Sequence, residues 1–400
     1  MKIKILLNTN PFFSASASAN RWLTLIEGLN DLKVAVQIVV VGNYQSKDEK
    51  QENKKNSSIN RIEIKYLTSK IVSGLWQRRY YTYIGKYFQA LRIKIRLRKE
   101  IQNFDGILWA ENDLTIWKII SNISNKSFKL ITEMSEFLDI HKYNKVNALQ
   151  NRAADAKQAY FENRYINKLD GFVLMTKTLL EYYNTFNNHP PLLHLPMTVD
   201  FERFQKQIDP PLEFKKPYIA YVGVMNDAKD GINILIEAFY KISKNYPKLK
   251  LYLVGGWDYD TPSHQEFIKE LELEDRVYLV GEYPRDTIPS IICNAKLLAL
   301  PRPDSKQAQG GFPTKLGEYL ATGRPVCATT VGEIPEYLED KKSVYFAKPG
   351  SVKSFANSIS NVLKDDEQAN NVGEQGKKIA ELYFNKKTQS KTLYNFLKQL

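Results

Sequence analysis

Short apolar runs alternate with longer amphipathic stretches along the whole chain. In the first half, stretches of helical periodicity such as Asn20 to Leu32 separate most of the apolar runs, which recur at Ile3–Leu7, Val34–Val41, Gly106–Trp109, Leu130–Thr132 and Phe172–Met175. Alternation of this kind is typical of parallel strands with helices packed on both faces of the sheet. The first half is therefore predicted to be a Rossmann-like domain.

The same pattern begins again after a proline-rich segment. Residues 209–217 combine prolines with charged side chains, which is typical of a linker. Further strands are predicted after it, at Tyr218–Gly223, Leu249–Val254, Val277–Val280, Lys296–Leu300, Pro325–Ala328 and Val344–Phe346. This pattern predicts a second doubly wound parallel sheet.

Two such sheets define the expected domain organisation. Residues 1–208 are predicted to form the first Rossmann-like domain and residues 209–385 the second, while residues 386–400 form a helix expected to cross back to the first domain. Ligands of doubly wound sheets lie beyond the carboxyl ends of the strands. The site is therefore expected in a cleft between two facing domains.

Composition narrows the range of partners. The 400 residues are 43% hydrophobic, and no run of about 20 apolar residues, the length that spans a bilayer, is present. Two cysteines argue against a disulfide framework and favour the cytoplasm. The net charge of +13 favours an anionic partner, for which nucleic acid, acidic lipid and phosphorylated substrates all qualify.

The most informative motif is Gln309–Val326. Gly310 and Gly311 let backbone amides approach a ligand, Thr314 is predicted to cap a helix that starts at Lys315, and the helix N-terminus suits phosphate. Glu318, one turn later, is placed to accept hydrogen bonds from both hydroxyls of a ribose. An ordinary solvated Lys–Glu pair is the alternative, but glycines, cap, cation and carboxylate together favour a donor site.

A second turn between a strand and a helix, Gly223–Gly231, carries Lys229. Its position at the end of the first strand of the second domain would let Lys229 reach a diphosphate. A solubilising surface lysine is the alternative.

Residues 218–347 resemble the nucleotide-binding domain of the retaining glycosyltransferases of family four. The resemblance rests on an ordered set of short matches: Tyr221-Val222-Gly223 with Lys229 and Gly231, Leu253–Gly256, Asp275–Gly281, Glu318–Val326 and Val331–Glu336. Leu195-Pro196, Val199-Asp200 and Arg203-Phe204 match the segment that precedes the linker.

This resemblance implies a GT-B fold, a nucleoside diphosphate sugar as co-substrate, retention at the anomeric carbon, and neither a catalytic metal nor a cofactor. Glu318 matches the ribose-binding glutamate and Lys229 the diphosphate lysine. The glycine turn with Phe312, Thr314 and Lys315 completes the predicted donor site. Tyr283 and Pro284 lie where the family binds the base, and Ser16 and Ser18 lie in the loop that approaches the phosphates.

Three positions depart from the family pattern. Gly310 replaces a glutamate, Val224 replaces the arginine that follows the strand glycine, and Met197-Thr198 replaces Asn-Gly. The clamp on the donor phosphates is therefore incomplete in the sequence. Lys315 or the amides of Gly310 and Gly311 are the candidate substitutes.

On the acceptor side, Glu133 and Glu136 follow a predicted strand, and either carboxylate could face the acceptor hydroxyl; surface carboxylates are the alternative. The four histidines show no spacing typical of a metal site or a catalytic triad. The basic, aromatic stretch 76–99 is compatible with an anionic membrane surface or with a half-buried helix.

The sequence thus predicts a cytoplasmic glycosyltransferase of polysaccharide synthesis, acting on a glycan or a lipid-linked acceptor and in peripheral contact with the inner membrane. A nucleotide-sugar epimerase of the same architecture, or a non-catalytic protein that binds nucleotide sugar or nucleic acid, remains the alternative. Nucleic acid is disfavoured because the basic residues form no recognised binding module.

Overall fold

The computed structural model describes residues 1–400 except residues 15, 45, 56–57, 72–85, 122–125, 138–155, 157, 207 and 257–259. The chain forms two compact units. Unit 1 comprises Met1–Ser135, Asp155–Leu195 and Lys387–Leu400, and unit 2 comprises Glu136–Ala154 and Pro196–Lys386. Within the described residues, no helix combines the length and the apolar character that crossing a membrane requires.

Unit 1 is built on an eight-stranded sheet. Its strands are β1 (Lys2–Leu7), β2 (Ala35–Val40), β3 (Ser58–Ile59), β4 (Ile62–Tyr66), β5 (Gly106–Ala110), β6 (Phe128–Met134), β7 (Gly171–Leu174) and β8 (Leu192–His194). The spatial order is β3-β4-β2-β1-β5-β6-β7-β8, in which the β3–β4 pair alone is antiparallel. The central strands are buried on both faces, which explains their continuous apolar sequences.

The helices of unit 1 cover this sheet. They are α1 (Ala17–Asp31), α2 (Lys47–Lys55), α3 (Lys86–Ile101), α4 (Leu114–Ile120) and α5 (Lys177–Asn184). Trp22 of α1 packs edge-on against Trp109 of β5, with ring centroids 4.9 Å apart. These aromatic rings fill the core between helix and sheet.

Unit 2 contains six parallel strands: β9 (Tyr218–Val222), β10 (Lys250–Val254), β11 (Val277–Gly281), β12 (Leu297–Leu300), β13 (Val326–Thr329) and β14 (Tyr345–Ala347). Their order is β11-β10-β9-β12-β13-β14. The helices are α6 (Asp227–Asp230), α7 (Ile232–Ser243), α8 (Thr261–Glu270), α9 (Ile288–Cys293), α10 (Lys306–Gly310), α11 (Thr314–Ala321), α12 (Ile334–Tyr337), α13 (Val352–Lys364) and α14 (Asp366–Phe384).

Neighbouring strands β9 and β12 pair directly, so the loops that leave their carboxyl ends lie beside each other. A Cβ on Gly231, at the start of α7, would overlap the carbonyl oxygen of Pro301 in the loop after β12. This close approach leaves room only for glycine, and it places Lys229 and the β12 loop at the same end of the sheet.

The last helix, α15 (Lys386–Gln399), belongs almost entirely to unit 1. Leu393 and Leu397 are buried in the same core cluster as Ile3 and Trp109. At the start of the helix, Lys386 Nζ lies 3.0 Å from Asp200 Oδ2 in unit 2, and the Lys386 amide donates to the Val199 carbonyl. The two segments at which the chain changes unit are therefore bonded to each other.

Three local boundaries are defined by the structure. Acidic residues begin α2 and lysines end it, as the helix dipole favours. Helix α1 is capped by Ser16, whose hydroxyl accepts a hydrogen bond from the Ala19 amide. Strand β6 continues through Met134 and does not end at Thr132 as predicted, so Glu133 lies inside the strand.

We expect Leu393→Ala to lower the free energy of unfolding of unit 1 by about 2–5 kcal/mol, since the substitution leaves a cavity in a buried cluster. Urea unfolding followed by tryptophan fluorescence measures the effect. Leu382→Ala is the matched control, because Leu382 is 63% exposed and its loss should cost less than about 0.5 kcal/mol. Equal effects of the two substitutions would contradict the packing of α15 against this core.

Candidate donor site

Helix α11 carries the central motif, and it begins one residue earlier than the sequence suggests. Thr314 is its first residue, Pro313 is the N-cap, and no side chain caps the helix, so the predicted capping role of Thr314 is wrong. Pro313 has an extended backbone (φ −71°, ψ 109°), and its carbonyl accepts the first hydrogen bond, from Leu316. Gly323 follows the helix with φ 71°, the left-handed conformation in which glycine commonly ends a helix.

The two glycines before α11 have different surroundings. Gly310 is the last residue of the short helix α10. A Cβ on Gly310 would overlap the ring of Phe137, also in unit 2. Gly310 is therefore required by an aromatic neighbour, whereas Gly311 is extended, with φ −125°.

Phe312 points into an aromatic cluster. It is buried, and its ring lies 5.7 Å from that of Tyr337 and 5.2 Å from that of Phe384. The side chain thus anchors the start of α11 to the body of unit 2. Any contribution of Phe312 to donor binding would come through this anchoring.

Glu318 forms an ion pair that the sequence analysis did not foresee. Its Oε1 lies 2.5 Å from Arg203 Nη1, and the two side chains are 17% and 13% exposed. Arg203 Nη2 also donates to the carbonyl of Arg285, 2.9 Å away. Arg203 therefore connects Glu318 to the loop that follows β11.

The same loop carries the predicted base-binding residues. The Tyr283 hydroxyl donates to Glu213, and the Tyr283 ring packs 5.6 Å from that of Phe214. Burial raises the pKa of Tyr283 to about 12, and the hydrogen bond to Glu213 acts in the same direction. Pro284 is exposed beside it. The structure thus brings Glu318 and the Tyr283–Pro284 loop together through Arg203.

The side chain of Lys315 is largely buried beside the carboxyl end of β9. Its Nζ is 2.7 Å from Asp230 Oδ1 and 2.7 Å from the Tyr221 hydroxyl, and it lies 4.4 Å from the centre of the Tyr221 ring. A Cβ on Gly223 would overlap this ammonium group. Burial lowers the pKa of Lys315, while Asp230 opposes the shift. Two of the three ammonium donors are therefore already used inside the protein.

Lys229 lies on the one-turn helix α6, which Asn226 caps by accepting from the Lys229 amide. Its side chain is half-buried, and no ion pair to it is formed among the residues that the structure describes. The positive charge of Lys229 contributes to lowering the pKa of Lys315. Lys229 and Lys315 are therefore neighbours at the end of β9.

The predicted residues of unit 1 lie in different settings. Ser16 and Ser18 are exposed at the first turn of α1. Glu133 is buried, and its Oε1 lies 2.7 Å from Arg21 Nε, while Arg21 Nη2 donates to the Leu195 carbonyl. The arginine thus fixes Glu133 within the unit 1 core.

Glu136, assigned to unit 2, is half-buried just after β6. Glu133 and Glu136 therefore belong to different units. The predicted donor residues Lys229, Lys315 and Glu318 all lie in unit 2.

The carboxylate of Glu111 was not predicted as a site residue from the sequence. Glu111 directly follows β5, and its Oε2 accepts a 2.6 Å hydrogen bond from the amide of Asn8, which follows β1. Burial raises the pKa of Glu111 above its ordinary value. The signal was present in the sequence, since an acidic residue directly after a predicted buried strand marks the ligand-binding edge of a parallel sheet.

Within the described ranges, no group of three or more histidine, cysteine, aspartate and glutamate side chains is arranged to hold a metal ion.

Much of the second half of the chain resembles a known protein family. Residues 202–379 match the family model described as glycosyl transferases group 1. The predicted resemblance is confirmed. The group 1 region contains Arg203, Lys229, Lys315 and Glu318.

Curated relatives match only part of this chain. The chain is 29% identical over 164 residues to N-acetyl-alpha-D-glucosaminyl L-malate synthase of Bacillus anthracis, which is 40% of each chain. It is 25% identical over 210 residues to the putative colanic acid biosynthesis glycosyltransferase WcaL of Escherichia coli, covering 51% of this chain and 50% of WcaL. The matches thus span half or less of these relatives.

Solved structures extend the likeness to the whole fold. Sucrose-phosphate synthase from Thermosynechococcus elongatus superposes with a TM-score of 0.78 at 16% identity, covering 100% of this chain and 98% of the other. Anabaena HepE in complex with UDP gives a TM-score of 0.70 at 16% identity, with both chains covered completely. The predicted GT-B fold class, with two parallel-sheet units, is confirmed.

We expect Glu133→Gln to lower the free energy of unfolding by about 3–5 kcal/mol, because it leaves Arg21 buried without its counter-charge. Urea unfolding measures this loss. Glu136→Gln is the control, and a half-buried position should change stability by less than about 0.5 kcal/mol. A stable Glu133→Gln variant would argue against a structural ion pair.

Proposed function

We propose that this protein is a retaining glycosyltransferase that transfers a sugar from a nucleoside diphosphate sugar to a glycan or lipid-linked acceptor in cell-surface polysaccharide synthesis. The observation that carries the proposal is the convergence of Glu318, Lys229 and Lys315 at the carboxyl ends of the unit 2 strands, within a region matching the group 1 family. The likeness to WcaL and to UDP-bound HepE supports the biosynthetic role and the nucleotide donor.

In this proposal, each donor residue has a distinct task. The Glu318 carboxylate accepts hydrogen bonds from the ribose hydroxyls, and Arg203 holds it in the required orientation. Lys229 and the amides at the start of α11 stabilise the negative charge on the leaving diphosphate. Lys315 supports the site from below, since its ammonium group is bonded to Asp230 and Tyr221.

The reaction proposed is front-face substitution, in which the diphosphate leaves as the acceptor hydroxyl attacks the same face of the sugar. Stabilisation of developing charge by fixed donors lowers the barrier without a metal or a covalent intermediate. Glu136 is the better candidate of the two acceptor-side carboxylates, because Glu133 is already held by Arg21. Ser16 and Ser18 are proposed to contact the donor phosphates, and unit 1 to bind the acceptor.

The donor site is tested by nucleotide binding. We expect one of UDP, GDP and ADP to raise the melting temperature, and Glu318→Ala to weaken its binding at least tenfold, since hydrogen bonds to a charged group contribute about 1.5–3 kcal/mol. Isothermal titration calorimetry measures the affinity. Glu274→Ala, at an exposed carboxylate of the same unit, should leave the affinity unchanged.

The ribose contact has its own control. Glu318→Ala should not weaken the 2′,3′-dideoxy form of the same nucleotide further, because that ligand lacks both hydroxyls. An equal loss for both ligands would assign Glu318 to a structural role. Failure of every nucleotide to bind the wild-type protein would contradict the proposed function.

We also propose a peripheral, cytoplasmic membrane contact through the segment 76–99. Residues 76–85 lie outside the described residues, while Lys86–Lys99 lies in helix α3. Arg92, Ile95 and Lys99 are exposed at helical spacing on one side of α3, with Ile95 59% exposed. Cations around an exposed apolar side chain suit an anionic lipid surface.

We expect the double substitution Arg92→Glu, Lys99→Glu to weaken binding to vesicles containing phosphatidylglycerol by tenfold or more, since each cation near such a surface contributes about 1 kcal/mol. Cosedimentation of the protein with the vesicles measures this binding. The double substitution Lys348→Glu, Lys353→Glu changes the net charge equally at exposed sites of unit 2. Equal losses in both variants, or equal binding to neutral vesicles, would contradict a specific contact.

A further inference from the structure

Arg302 is a buried cation that has no role in the mechanism proposed above. It follows β12 by two residues and is only 4% exposed. Its Nε is buried without a hydrogen-bond partner, and no ion pair to its guanidinium group is formed among the residues that the structure describes. A buried, unpaired charge is costly, so a protein that keeps one has a use for it.

The loop that carries Arg302 is fixed at the edge of the donor site. The Arg302 carbonyl accepts from the Thr329 hydroxyl at the end of β13, and Pro301 contacts Gly231 at the start of α7. The backbone is therefore held on both sides. Because its backbone is fixed in this way, Arg302 is held at a defined place beside the carboxyl ends of β9 and β12.

Arg302 is also close to the two lysines of the site. Its charge adds to the lowering of the pKa of Lys315 and opposes the rise that burial causes in the pKa of Tyr221, so it lies within electrostatic reach of the end of β9. Asp230 is bonded to Lys315 and balances that one cation. Lys229 and Arg302 remain as two positive charges without an anionic partner among the described residues.

We infer that the diphosphate of the donor is the missing partner of Arg302, which binds it together with Lys229. A diphosphate bridging two cations carries the complementary charge, and a guanidinium group binds phosphate oxygens in bidentate fashion. Arg302 would thus supply, from the neighbouring strand, the arginine absent at Val224, which is 54% exposed. The inference rests on the proposed function and names the clamp within that site.

The test compares ligands with and without phosphates. The wild-type protein, Arg302→Gln, Arg302→Lys and Arg324→Gln are titrated with the best-binding nucleoside diphosphate, with its nucleoside and with inorganic pyrophosphate. We expect Arg302→Gln to weaken the nucleoside diphosphate about 10- to 100-fold and to leave the nucleoside unchanged. Arg302→Lys should recover part of the loss, and Arg324→Gln, at an exposed arginine before β13, should have no effect.

A second readout separates ligand binding from folding. Without ligand, the urea midpoint of Arg302→Gln should equal or exceed that of the wild-type protein, because the substitution removes an unpaired buried charge. A lower midpoint, an equal loss for nucleoside and diphosphate, or unchanged diphosphate affinity would overturn the inference. If the wild-type protein binds pyrophosphate through Arg302 but no nucleotide, the anion site stands and the proposed function fails.

Discussion

Three cationic side chains and one carboxylate meet where β9 and β12 end, and the balance between their charges organises the candidate donor site of unit 2. Asp230 holds the buried ammonium group of Lys315, which in turn donates to Tyr221. This internal pair satisfies one cation and leaves Lys229 and Arg302 for an outside anion. A site with surplus positive charge, little solvent and a fixed backbone is suited to a diphosphate because the desolvated charges act strongly on it.

A second ion pair, between Arg203 and Glu318, holds helix α11 at the other end of the candidate site. Arg203 bonds to Glu318 and to the backbone of Arg285, so one guanidinium group links helix α11 to the loop after β11. Asp200, which precedes the short 3₁₀ turn containing Arg203, is bonded to Lys386 at the start of α15. The orientation of the Glu318 carboxylate therefore depends on Arg203 and on the segment around Asp200 that precedes it.

Features that depend on local sequence pattern, namely the two sheets and the turns of the candidate site, were predicted from the sequence. The alternation of strands and helices predicted both sheets, and the turns after β9 and before α11 identified Lys229 and Glu318. Partners that are remote along the chain were not predictable, because tertiary register brings Arg203 to Glu318, Asp230 to Lys315 and Phe137 to Gly310. Arg302 was missed because its loop has no motif, and only burial without a partner reveals it.

We propose that the donor diphosphate binds at the carboxyl ends of β9 and β12. A crystal structure of the protein with its best-binding nucleoside diphosphate would locate the ligand. Phosphate oxygens are expected within about 3 Å, hydrogen-bond distance, of the Arg302 guanidinium group and of Lys229 Nζ, with the ribose hydroxyls on Glu318. A diphosphate bound elsewhere, with Arg302 still unpaired, would contradict the proposal.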